Sequence, residues 1–344
     1  MNFHDSQIPT LIPTKNIGPI KINYTGIAEN ITVPLATFEI PLWSSTHRGA
    51  LVSQRTNGID VCTIDDIMTR SLILEAESLE AILSCKKWIE NNEERIRNAA
   101  ESSSNYAKLR YIHMENVGRL LYVRLSMYTG NASGHNMTTQ AADAVAEIVM
   151  HNCKDIEYVS VSGNYCTDKK NSSINGILGR GKRVSAEIIV SRSVCEFILK
   201  TTPEKIVNLN TKKNFVGSIL AGGVRSANAH YANIVLAMYL ATGQDGANIV
   251  EASQGITYTE MSGTDLYFSV NIPNLIVGTV GNGKHLDFAK KNLELIGCKS
   301  DNPLSSSRLS AIIASAVLCS ELSLMASLTN HGDLVRSHIS LERS

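Results

Sequence analysis

The feature that most constrains this chain is an alternation of apolar periods between residues 71 and 162. SLILEA (71–76) is strand-like, and 78–100 is a charged stretch with helical spacing. AKLRYIHMENVGRLLYVRLSMY (107–128) reads as two strands joined at a Glu115-Asn116-Val117-Gly118 turn. Met137 to His151 is helical, with Ala141, Val145, Ile148 and Val149 on one face, and IEYVSV (156–161) adds a last strand. Strand, helix, two strands, helix, strand is the order of a split βαβ unit. Such a unit is far too short to account for 344 residues, so the pattern predicts a small domain set into a larger one.

The flanks supply that larger domain. Residues 1–35 read as loop and short strands, punctuated by Pro9, Pro13, Pro19 and Pro34. A helix from about Ala227 to Gln244 is apolar on nearly every side and is therefore expected to be buried all round, as the centrepiece. A second long helix runs from about Ser306 to Leu328, with Ser305 or Ser306 as cap and Gly332 just beyond its end. The expected class is α+β: a large domain around a long buried central helix, with an inserted small ferredoxin-like (βαββαβ) domain. The large domain takes 1–70 and 174–330, the small one 71–161. A connecting loop takes 162–173 and a polar tail 331–344.

Basic and acidic residues number 32 each, giving a formal net charge of zero. That argues against a general nucleic-acid or anionic-membrane surface. The seven cysteines are scattered, odd in number and never spaced CxxC, so neither a metal site nor a disulfide framework is expected. A reducing compartment fits them. No run approaches the roughly 18 apolar residues that span a bilayer, and the N-terminus lacks a signal-peptide pattern. The chain reads as cytoplasmic and without a membrane partner.

Four segments are polar where their surroundings predict core. Glu39 interrupts the apolar run VPLATFEIPL: it is either an outward-facing residue on an edge strand or a desolvated carboxyl able to hold a proton near neutral pH. SGNYCTDKKNSSIN (162–175) crowds Ser162, Asp168, Lys169 and Lys170 into one turn, either a solvated connection or an anion site. Asp245, in ATGQDGAN, ends the buried helix; an acid there opposes the helix dipole and favours a cationic partner over plain exposure. His338 lies in the tail, where a lone histidine usually does nothing unless the tail closes as a flap. LGRGK (178–182) and GTVGNGK (278–284) could each let backbone approach a phosphate, although most such glycines are turns. Neither is a Rossmann GxGxxG site. AGGVRSANAH (221–230) precedes the buried helix, whose N-terminus could receive an anion.

Taken together, VPLATFE, SGNYCTDKK, GRGK, KNFVGS, NAHYANIV, ATGQDGAN, GTVGNGK, ELSLMASL and LVRSH resemble, in order, the segments of 3-hydroxy-3-methylglutaryl-CoA (HMG-CoA) reductases. The likeness extends over most of the chain. It implies a large substrate domain, a small cofactor-binding domain and an interdomain loop carrying a catalytic lysine. It also implies two hydride transfers from NADPH, with NADH as the other candidate, that convert HMG-CoA into mevalonate and CoA. Homodimers or homotetramers with active sites at the subunit interface are implied as well.

Carried over by position, Lys169 would stabilise the oxyanion formed when hydride reaches the thioester carbonyl. Asp245 would hydrogen-bond Lys169 and couple it to Glu39, the general acid of the second reduction. His338 would protonate the departing CoA thiolate. Arg70, Ser162, Lys170, Lys213, His230 and Asn233 match substrate contacts, and Arg48 matches a CoA contact. Asn131, Asn136, Met137, Lys108, Val280 and Gly281 match the cofactor side. Two departures stand out. The family's DAMGMNM is NASGHNM here (131–137), so that an acid becomes Asn131 and an apolar residue becomes His135. A serine-arginine pair that reads the 2′-phosphate of NADPH is Ser104-Asn105, with Lys108 farther along as a substitute. The family's ENVIG substrate segment has no match. Besides a working reductase, two readings remain: net oxidation of mevalonate with NAD, and a degenerate paralogue that binds a CoA ester or nucleotide without catalysis.

Overall fold

The computed structural model describes residues 10–342; within its last helix the side chains of Ser337, His338 and 340–342 lie outside that description. The first two elements are longer than the prolines suggest. β1 (Thr14–Tyr24) and β2 (Ile27–Ala36) form an antiparallel hairpin. Pro19 sits where the register slips between Ile17 and Ile20, and Pro34 lies on β2, an edge strand. Both are places where a missing N–H costs no ladder bond. α1 (Pro41–Gln54) follows, with proline in its first turn.

β3 (Ile59–Ala76) is a single 18-residue strand that serves two sheets. Up to Ile67 it pairs with β1 and with β7 (Gly181–Val190). From Met68 onward it pairs with β5 (Leu120–Tyr128) and β6 (Ile156–Val161). The larger, mixed sheet runs β2-β1-β3-β7-β10-β9-β8, where β8 is Ser226–Ala227, β9 Gly255–Ser262 and β10 Asp265–Leu275. β7 places Val184, Ala186, Ile188 and Val190 in the core at every second position.

Against this sheet lies the Ser305–Leu328 helix, 24 residues long. By length and mean hydropathy (1.8) it could cross a membrane, yet 94% of that window is buried inside the molecule. α1 crosses it closely: a Cβ on Gly49 would come within 2.0 Å of the Cys319 carbonyl oxygen, so only glycine fits. The apolar stretch expected as a helix over 227–244 is helical over Tyr231–Ala241 only. Its start is shortened because Ser226 and Ala227 pair with β9 instead.

The smaller sheet is antiparallel in the order β4-β5-β3-β6, with β4 being Lys108–Val117. α2 (Leu79–Asn91), α3 (Glu93–Glu101) and α4 (His135–Asn152) cover one face. Leu72, Leu74, Leu121, Val123, Leu125 and Met127 meet Ile82, Ile89, Ile96, Val145 and Val149 there, in a cluster separate from the large core. The opposite face of the same strands is buried but polar, carrying Ser71, Arg124 and Ser126. It holds the segment that follows β6.

Candidate active site

After β6 the chain turns back over that polar face. The Ser71 hydroxyl accepts the backbone N–H groups of Gly163, Tyr165 and Cys166 at 3.1–3.2 Å, which fixes the start of the loop. Beneath, the buried Arg124 donates to the Gly179 carbonyl at 2.7 Å. Asn164, Thr167 and Lys169 all take positive φ (54°, 40° and 55°). Non-glycine residues keep such a backbone only where neighbours hold them, and for Lys169 they do so at both ends. Its N–H donates to Glu251 Oε1 at 3.1 Å, and its ammonium lies 2.9 Å from Asp245 Oδ2. The acid after the buried helix thus has the cationic partner its position calls for.

Charge accumulates behind the loop. Arg180 and Glu251 are fully buried and lie 3.6 Å apart, and Arg180 also meets Asp168 at 2.8 Å and donates to the Cys166 carbonyl at 3.1 Å. Asp168 further faces Arg70 at 3.6 Å and His135 at 3.7 Å. Burial works against ionisation of Asp168, but His135, Arg180 and Arg70 outweigh it and hold this carboxyl well below the usual carboxylate range. Burial pushes the Glu251 carboxyl up, and Arg180 offsets only part of that. The Lys169 ammonium is stabilised by its hydrogen bond to Asp245 more than burial disfavours it, so its pKa is raised. Burial pushes Asp245 up, yet Lys169 and the Ala247 N–H bring it below the ordinary value.

Lys169 and Asp245 open onto a cavity of about 710 Å³. Arg70, Asp168, the first turn of α4 with His135, Asn136 and Met137, and the loop Val280–Lys284 complete its wall. The loops that carry Asn131 and Gly278 are joined. Thr279 N–H donates to the Asn131 carbonyl at 2.8 Å, and a Cβ on Gly278 would meet Ser133 N at 2.6 Å. Asn131 itself does not line the cavity: its amide bridges Ser306 N–H (3.0 Å) and the Asn302 carbonyl (2.7 Å). Burial lowers the pKa of Lys284, with Asp245 opposing.

A second cavity, about 370 Å³, shares no lining residue with the first. Glu39, Arg48, His230 and Asn233 line it. Glu39 is not on a strand: β2 stops at Ala36, and Glu39 N–H donates to the Thr37 hydroxyl as the chain turns into α1. Its carboxylate accepts from Asn233 Nδ2 at 2.8 Å. Within one chain, then, Asp245 reaches Lys169 while Glu39 faces Asn233 in the other cavity. Arg48 donates to Ser323 Oγ (2.9 Å) and Ser327 Oγ (2.6 Å), bracing α1 on the long helix.

Other expected site residues stand apart. Lys213, on the helical segment Asn210–Gly217, lines neither cavity, and Lys170 donates to the Asp168 carbonyl at 3.2 Å. Ser162 Oγ contacts Cys166 Sγ at 3.4 Å. Lys108 is ion-paired with Glu101 at 2.8 Å. The His338 side chain lies outside the described residues. In LGRGK a Cβ on Gly181 would come within 2.5 Å of the Leu275 carbonyl oxygen, so that glycine serves strand packing. The N-terminus of the Tyr231–Ala241 helix does meet an anion, but an internal one. The buried Glu321 carboxylate accepts Ala229 N–H (2.6 Å) and His230 N–H (3.1 Å). Sequence reasoning passed over Glu321, Glu251, Arg180 and Ser71. A signal existed for Glu321, a single acid amid the apolar residues of the long helix.

Known proteins resemble the chain over nearly its whole length. The sequence profile of hydroxymethylglutaryl-coenzyme A reductase matches residues 10–343. A Dictyostelium discoideum 3-hydroxy-3-methylglutaryl-coenzyme A reductase 2 is 41% identical over 340 residues, covering 96% of this chain and 64% of that protein. The Aeropyrum pernix 3-hydroxy-3-methylglutaryl-coenzyme A reductase is 40% identical over 336 residues, covering 96% of this chain and 79% of that protein. The chain thus spans just under two thirds of the first relative's length. A class II 3-hydroxy-3-methylglutaryl-CoA reductase from Streptococcus pneumoniae, solved with NADPH in open conformations, superposes with a TM-score of 0.74 at 17% identity, over 94% of this chain and 86% of that one. That last match speaks to fold. On the profile and the sequence relatives, the chain belongs to the hydroxymethylglutaryl-coenzyme A reductase family.

Proposed function

We propose that the chain reduces HMG-CoA to mevalonate and CoA, using two equivalents of NADPH. The observation that carries this is Lys169, held at backbone and ammonium by two acids and facing a cavity of about 710 Å³, within the range of small-molecule and cofactor sites. The residues present fit a nicotinamide cofactor. The 18-residue α4 turns its N-terminus to the cavity, Lys284 adds a cation suited to a pyrophosphate, and a Cβ on Gly281 would meet nothing within 4 Å, leaving room for a ligand. When bound, the cofactor supplies hydride.

Lys169 then acts where charge develops, its ammonium stabilising the oxyanion at the thioester carbonyl and again at the aldehyde. Asp245 keeps that ammonium charged and aimed. Glu39, oriented by Asn233, protonates the aldehyde oxygen in the second reduction. His338, on the terminal helix, protonates the CoA thiolate. Arg70, Ser162, Lys170, Lys213, His230 and Asn233 serve the substrate carboxylate and hydroxyl, Arg48 the CoA, and Asn131, Asn136, Met137, Lys108, Val280 and Gly281 the cofactor side.

Because Glu39 and Lys169 line different cavities, the complete site is a composite in which a second copy of the chain brings one cavity to the other. This supports a homodimer or homotetramer. The domain reading that accompanies it is a large unit gathered round a long buried helix and a ferredoxin-like unit over 71–161. The strand order β4-β5-β3-β6 and the two separate apolar clusters support it. The seven free cysteines suit the cytoplasm.

The test is HMG-CoA-dependent oxidation of NADPH with mevalonate identified as product, repeated with NADH. A folded protein that oxidises neither cofactor over a range of pH refutes the proposal.

A further inference from the structure

His135 stands where the resemblance leads one to expect an apolar side chain, and the proposed reaction gives it no task. It opens α4, the helix whose first turn walls the cofactor side of the larger cavity. Its ring does not simply fill space. Nε2 lies 3.7 Å from Asp168 Oδ1 and 3.3 Å from Asn248 Nδ2. Both neighbours lead straight to Lys169. Asp168 precedes it in the chain. Asn248 donates to Glu251 Oε1 at 3.1 Å, the same carboxylate oxygen that accepts the Lys169 N–H at 3.1 Å. Arg180 joins Asp168 to Glu251 from behind, so the anchors form one network around the buried Arg180–Glu251 pair. Nε2 serves one neighbour at a time, accepting from Asn248 when unprotonated and facing Asp168 with its N–H when protonated, and in either state it ties the first turn of α4 into that network. An apolar residue of similar size would line the cavity equally well and leave both contacts unmade.

We propose that His135 is a positioning residue for Lys169. It couples the placement of α4's first turn, where the cofactor would lie, to the reach of the lysine toward the reacting carbonyl. The idea rests on the reductase reading. A displacement of about 1 Å at a reacting group can cost roughly a hundredfold in rate. His135→Met therefore lowers kcat about 10- to 100-fold with both substrates saturating, while KM for the thioester and Kd for NADPH stay within about threefold. His135→Gln restores kcat to within about threefold of wild type, because its terminal amide presents either an N–H or a carbonyl near the place of Nε2.

A second readout needs no turnover. Hydrogen-deuterium exchange of the peptide spanning 164–172, in cofactor-free protein, is faster in His135→Met than in wild type or His135→Gln. Peptides from the Ser305–Leu328 helix exchange alike in all three. Unchanged kcat and exchange in His135→Met overturn the proposal. So does a weakened NADPH Kd with full kcat at saturation, which makes His135 a plain cofactor contact. So does a His135→Gln protein as impaired as His135→Met with exchange raised throughout, which makes it a folding residue. A wild-type protein without HMG-CoA turnover refutes the reductase reading instead and leaves the exchange comparison to judge this one.

Discussion

Replacing Arg180 with methionine removes a fully buried guanidinium that faces Asp168 at 2.8 Å and Glu251 at 3.6 Å. Cutting one partner from a buried ion network costs about 3–5 kcal/mol, because the remaining charge is left without compensation. Two features place the effect near the lower end, about 3 kcal/mol. Asp168 keeps Arg70 and His135, and Glu251 keeps the N–H donors of Lys169 and Asn248.

Glu251 also has an escape. Burial already raises its folded pKa, and losing Arg180 raises it further. A carboxyl with a raised folded pKa binds more protons folded than unfolded, so stability grows as pH falls. The Asp168 contribution, from a depressed pKa, is fully present above its unfolded value of about 3.9 and stays constant between pH 5 and 8. The deficit of Arg180→Met is therefore largest at pH 8 and smaller at pH 5.5. Urea unfolding followed by tryptophan fluorescence measures both. A loss under about 1 kcal/mol, or one that grows as the solution is acidified, refutes the account of a compensated buried cation.

Two further outcomes follow from the same loop. In Asp245→Asn the Lys169 ammonium keeps at most a neutral amide oxygen as acceptor and loses the carboxylate charge that raises its pKa, so the alkaline fall in kcat/KM shifts to lower pH, toward the ordinary lysine value of about 10.4; an unmoved limb would mean that Lys169 is not the group titrating there. Ser71→Ala leaves the N–H groups of Tyr165 and Cys166 without their acceptor, costing about 1–3 kcal/mol in urea unfolding and speeding exchange of residues 163–166.

Much of the smaller sheet is legible in the sequence. The helix expected from Met137 to His151 is α4, His135–Asn152, and the strand at 156–161 is β6. There the apolar period is local and one-sided, so neighbours in sequence report the same core. The N-terminal hairpin is not legible in that way, since prolines read as punctuation can sit at a bulge or on an edge strand. The pairing of Lys169 with Asp245 follows from the family resemblance, not from spacing. Arg180, Glu251 and Glu321 escaped notice because a charged residue is exposed by default. What buries each is a partner far along the chain, such as Ala229 for Glu321 or Lys169 for Glu251. Glu39 shows the same limit: its apolar neighbours suggest a strand, but the Thr37 hydroxyl turns the chain before the strand reaches it.

β3 has a mechanical consequence. Because one continuous strand belongs to both sheets, with the changeover between Ile67 and Met68, no slack tether separates them. Any rotation of the smaller sheet against the larger is torsion about that shaft, and it must swing Arg70, three residues past the pivot, along with the turn pinned by Ser71. Neither half could be severed from the other without tearing a ladder from both.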